Sequence, residues 1–323
     1  MMREIIYSLP DQIAEAINFV ADFNSKAQRF NRILICGMGG SGISGEILGA
    51  INPELEIIIN KDYTIPQYIK KDTLAILVSY SGNTEETLSN YNTLAQKKIK
   101  TVLISSNGAL LKKTSILKIE IPEGLPPRGA LGYLFTPQPI LLYKFGLISA
   151  DPKKKLLALV HFLKKHRAAI ENKAKKLADQ FIGQLPIIYF NSQLFRPVAT
   201  RWQCQLNENA KVLAHINALP EMNHNEIVGL GRPEALNKKL LIIFLNDPEA
   251  HPKNKLRVKI IKEIIHNKIS NMVDINPIGN NNYERVFSTI MLGDFISYYL
   301  ALKTDIDPMP VKRIEYLKKR LSE

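Results

Sequence analysis

The chain is expected to be an α/β protein of two domains, each a parallel sheet flanked by helices in a three-layer αβα sandwich, with further helices at the termini. Three observations predict this. Short apolar runs alternate with stretches of helical period through the first half. Two of those runs end in turns rich in glycine or hydroxyl residues that open directly into a helix. After Pro186 the strand-and-helix order begins again, the pattern of a diverged internal duplication.

The bulk properties allow this. At 323 residues the chain can bury more than one core. Its 46% hydrophobic and 23% charged residues are ordinary for a globular protein. No secretory signal pattern and no run long enough to span a bilayer is visible, so a cytoplasmic location is expected, with no membrane partner. The two cysteines, Cys36 and Cys204, make no disulfide framework, and no C-x-x-C or H-x-x-x-H spacing suggests a metal site. A net charge of +13 could serve nucleic acid. The lysines, however, stand in short clusters among apolar spacers on expected helices, as at Lys153–Lys155 and Lys175–Lys176, which describes solvated helix faces. No helix-turn-helix, RNP or KH signature accompanies them, so no nucleic-acid partner is expected.

Taken in order, residues 10–29 carry Ile13, Ile17, Val20 and Phe23 at helical spacing and predict a helix. Strands are expected at 32–36, 57–60, 74–78, 101–105 and 117–121, with helices from 42 and from 84, and a helix over 136–148 closes a first domain of residues 1–150. Residues 151–183 are basic and helical in period, a connecting helix. The second domain, 184–323, restarts with a strand at 187–190, a helix over 194–214, strands at 239–245 and 272–275, and helices at 252–267, 283–302 and 311–321.

The run SYSGNTEET, Ser79 to Thr87, follows the buried-type strand Leu74–Val78. Ser79, Ser81 and Thr84 supply hydroxyls, Gly82 a tight turn, and Glu85 and Glu86 an acidic first helical turn. Hydroxyls and free backbone N–H groups at the positive end of a helix suit an anion such as phosphate. The earlier run GMGGSGISGE follows Arg32–Cys36, and Ser41 is placed to cap the next helix. Gly37, Gly39 and Gly42 also fit G-x-G-x-x-G. The acidic residue expected about twenty positions on is represented only by Glu54 and Glu56, at or before the start of the next strand rather than its end. Two phosphate-suited turns within fifty residues fit a sugar phosphate better than a dinucleotide.

The second half carries polar clusters suited to acid–base work on a polyol. Glu208 lies between amides in Asn207-Glu208-Asn209-Ala210-Lys211, and His224 in Asn223-His224-Asn225-Glu226-Ile227.

These runs, with PPRGALG around Arg128 and the C-terminal PVKRIEYLKKRL, resemble the bifunctional phosphoglucose/phosphomannose isomerases, sugar-isomerase (SIS) domain proteins of the phosphoglucose isomerase superfamily. The resemblance runs from about residue 30 to the end. It implies that Gly40, Ser41, Ser79, Ser81 and Thr84 hold the substrate phosphate and that Arg128 stabilises an enediolate. Glu208 would shuttle the proton, His224 would assist ring opening from the other subunit of a homodimer, and Lys318, or its neighbour Lys319, would act at the ring oxygen. The reaction implied is metal-independent interconversion of glucose 6-phosphate and mannose 6-phosphate with fructose 6-phosphate, with no cofactor. The alternative is a SIS-fold sugar-phosphate sensor, which would need the phosphate turns but not Glu208.

Overall fold

Aliphatic runs become strands wherever both faces can be covered. A computed structural model describes residues 1–21, 23, 30–269 and 271–321. Among them β1 (Arg32–Cys36), β2 (Ile57–Asn60), β3 (Thr73–Val78), β4 (Lys100–Ser105) and β5 (Leu117–Glu120) form one parallel sheet of order β2-β1-β3-β4-β5. Alternation assigns the two faces. Leu34 and Cys36 of β1, Leu77 of β3 and Leu103 of β4 pack with Tyr91 and Leu94 of the helix Glu85–Gln96. Ile35, pointing the other way, meets Gly45 of the helix Gly39–Ile51. These elements belong to the first of two compact units, Glu4–Arg167 with Ile278–Ser288.

The second unit comprises Met1–Arg3, Ala168–Pro277 and Thr289–Glu323. Its sheet has β6 (Leu185–Phe190), β7 (His215–Ala218), β8 (Leu240–Leu245) and β9 (Met272–Ile275), all parallel, in the order β7-β6-β8-β9. Ile187, Tyr189, Ile242 and Phe244 on one face pack with Val258 and Ile261 of the helix Pro252–Ile265. Helix Arg196–Gln205 packs on β6 and β7. In both sheets the first strand lies inside, with the second to one side and the third and fourth to the other. That shared order agrees with the restart read after Pro186. Two of the unit boundaries, after Arg167 and after Ser288, fall inside the long helices Lys153–Leu177 and Asn282–Lys303.

Three local expectations are corrected. The helix expected over 10–29 is Leu9–Ala16, followed by turns; residues 22 and 24–29 lie outside the described residues. The helix after β1 starts at Gly39 rather than 42, with Met38 at its N-cap, so Ser41 sits in the first turn and does not cap it. The helix expected over 194–214 ends at Gln205 and runs into a π-helical turn, Leu206–Ala210, after which β7 appears.

Candidate functional site

In a sheet of this order the crevice for a ligand opens where successive connections leave in opposite directions, at the carboxyl ends of the two inner strands. Those strands are β1 and β3, and the glycine-rich and hydroxyl-rich turns follow them. Each turn feeds a helix whose first N–H groups receive no bond from the cap side chain, at Met38 in one and Thr84 in the other. Two uncapped helix starts on adjacent strands place donors and positive dipole ends on one edge of the sheet.

The SYSGNT turn is cross-braced by hydrogen bonds. Ser79 is buried, its Oγ lies 2.8 Å from Thr84 Oγ1, and its carbonyl accepts from Gly82 N and Ser105 Oγ. Gly82 has φ 66°, and a β-carbon there would stand 1.7 Å from the Asn107 carbonyl oxygen. Asn83 Oδ1 accepts from Ala109 N, and Ser81 Oγ from Asn83 N. The brace after β4, Ser105 to Ala109, was not singled out in the sequence, although Ser-Ser-Asn-Gly is itself a turn signal.

Arg128 is brought to the glycine turn. It is 5% exposed, on the short 3₁₀ turn Pro127–Gly129, which packs on the helix Gly39–Ile51. Gly40 approaches so closely that a β-carbon would stand 3.2 Å from the Pro127 carbonyl oxygen. Gly40, Ser41, Ser79, Ser81, Thr84 and Arg128 all belong to the first unit.

Glu208, His224 and Lys318 belong to the second unit. Glu208 is the middle residue of the π turn. There the Leu206 carbonyl accepts from the N–H groups of both Lys211 and Val212, and Lys211 adopts a left-handed conformation at φ 59°. Lys211 Nζ donates to the Glu208 carbonyl at 2.5 Å. Glu208, half-buried, lines a groove of about 580 Å³ together with Lys211, Leu213, Val311, Lys312 and Arg313. The helix Lys312–Leu321 thus reaches the groove through its first turn, while Lys318 and Lys319 are exposed further along it.

His224 is exposed at the end of the 3₁₀ turn Glu221–His224. The loop that carries it is fixed from below. Met222 is fully buried, and Glu226 accepts from Tyr189 of β6 at 2.6 Å and from Asn217 of β7, with His215 Nε2 at 3.0 Å. Burial works against the Glu226 carboxylate, but the bonds from Asn217, Tyr189 and His215 outweigh it and hold its pKa below the usual value. Glu226 and β7 were not recognised as this anchor in the sequence; Asn217 and His215, alternate residues of one strand, were the signal. Among the described residues no three His, Cys, Asp or Glu side chains gather as a metal set, and no helix is long and apolar enough to cross a membrane.

The family described as the bacterial phospho-glucose isomerase C-terminal SIS domain matches residues 170–321. The chain is 40% identical to the bifunctional phosphoglucose/phosphomannose isomerase of Caldicellulosiruptor bescii, over 100% of this chain and 99% of that protein. It is 34% identical to the protein of the same name from Thermoplasma volcanium, over 99% of each. The C-terminal domain of glucosamine-fructose-6-phosphate aminotransferase from Francisella tularensis is 13% identical and superposes with a TM-score of 0.75, over 95% of this chain and 97% of that one. That likeness shows the fold.

Proposed function

Because this chain belongs to the bifunctional phosphoglucose/phosphomannose isomerase family, it is an isomerase of glucose 6-phosphate and mannose 6-phosphate, and we propose that it works by a metal-independent enediolate route with Glu208 as the base. The observation that carries the phosphate assignment is the pair of uncapped helix starts after β1 and β3, with the Ser79–Thr84 hydroxyl pair beside one of them. Gly40, Ser41, Ser79, Ser81 and Thr84 hold the phosphate. Binding energy gained there orients the distant C1 and C2.

On the opened aldose the Glu208 carboxylate takes the proton from C2. The C2–H electrons form the C1–C2 double bond, and the carbonyl electrons move onto O1. Arg128 stabilises that oxyanion with a fixed guanidinium. The proton returns from Glu208 to C1, the O2 hydroxyl proton is released as the C2 carbonyl forms, and O1 is protonated. Glucose and mannose 6-phosphates differ only at C2, which is planar in the enediolate, so both share one intermediate. His224, exposed on an anchored loop, assists ring opening in the partner subunit of a homodimer, and Lys318 or Lys319 acts at the ring oxygen. The proposed setting is the cytoplasm.

Glu208→Gln removes the base and keeps the shape. Turnover of both aldoses is expected to vanish while a sugar-acid phosphate inhibitor still binds. Turnover at the wild-type rate would remove Glu208 from the mechanism.

A further inference from the structure

A general base must be held within about 0.5 Å of its working position, yet Glu208 sits on a turn with one residue more than an α-helix accommodates. The helix Asn282–Lys303 holds that turn from behind at successive points of its second-unit part. Trp202 Nε1 donates to the Thr289 carbonyl at 2.9 Å, and a β-carbon at Gly293 would stand 2.2 Å from that indole nitrogen. Arg201 makes a two-pronged bond to the Asp294 carboxylate, with Nη2 at 2.7 Å and Nε at 3.0 Å; both side chains are buried. Ser297 Oγ donates to the Asp294 carbonyl at 2.7 Å and accepts from Asn209 Nδ2 at 3.0 Å. Asn209 is fully buried.

Arg201, in the helix before the π turn, and Asn209, within the turn, are thereby tied to one helix. Asn209 shares a peptide unit with Glu208, and π turns occur disproportionately at functional sites. We propose that Asn209 and Ser297 are positioning residues for the proton-transfer step, acting through the direction of the Glu208 side chain and touching no substrate. This deepens the reading of Glu208 as the base and rests on it.

The decisive variant is Ser297→Ala, which deletes the acceptor of the Asn209 amide in a helix that tolerates alanine. The expected result is a fall in kcat of about 10- to 100-fold, the scale of a small misplacement of a reacting group, with KM and the inhibition constant of a sugar-acid phosphate within about twofold and the melting temperature lowered only by the loss of one buried hydrogen bond. Ser297→Thr, which keeps the hydroxyl, restores most of kcat. Wild-type kcat in Ser297→Ala overturns the proposal. So does a loss in which kcat and KM change together, or one that Ser297→Thr fails to restore. Glu208→Gln, assayed alongside, separates the two claims: if it turns over like the wild type the base assignment fails, and if it is inactive while Ser297→Ala is unaffected only the positioning claim fails.

Discussion

At the scale of single residues, the Ser79–Thr84 pair is part of the proposed phosphate contact. One hydroxyl donates to the other across 2.8 Å, so one O–H of the two remains for a phosphate oxygen. Ser79→Ala or Thr84→Ala is expected to weaken binding of a sugar-acid phosphate about tenfold, near 1.4 kcal/mol, the scale of one hydrogen bond to a charged group. An unchanged inhibition constant would exclude that hydroxyl. Cys36 illustrates the opposite kind of residue. Burial at the end of β1 pushes its thiol up to about 12, and it is a core filler, as its place in an apolar run suggested. It is expected to stay unreacted toward a thiol reagent in the native protein and to react only on unfolding, which a titration with and without denaturant would reveal.

At the scale of elements, strands with unbroken aliphatic runs were legible: β3, β8 and most of β1, β4 and β6 are buried on both faces. β7, His-Ile-Asn-Ala, was not. It is an edge strand whose polar residues face the Glu226 anchor, so its sequence lacks the apolar signal. The π turn was invisible too, because Trp202, Leu206 and Ala210 keep helical spacing while the extra residue shows only in the backbone. The start of the helix after β1 was misplaced because Ser41 is a good cap by type, whereas Gly39 at φ 47° lets the chain turn earlier. The contacts that brace the candidate site residues were not legible. Replacing Asp294 by alanine leaves Arg201 buried without its partner carboxylate and is expected to cost roughly 3–5 kcal/mol in denaturant unfolding. For Glu226 the sign is opposite to that of a raised carboxyl group. Its folded pKa lies below the unfolded value, so its contribution is complete above about pH 5 and is lost as pH falls through the folded pKa. The stability advantage of wild type over Glu226→Gln should therefore shrink on acidification; an advantage independent of pH would contradict the anchor.

At the scale of the whole molecule, the net charge of +13 is expected to draw in a dianionic substrate without contributing to the chemistry. Raising ionic strength should lower kcat/KM and leave kcat nearly constant; kcat falling in parallel would place the charge effect in the reaction itself. The proposed enediolate route is metal-independent and serves both epimers. Its most direct test is the rate of fructose 6-phosphate formation from glucose 6-phosphate and from mannose 6-phosphate, each with and without EDTA. Comparable turnover of both, unaffected by the chelator, is the predicted result. Turnover abolished by EDTA, or tight binding of both sugars with no product, would contradict it.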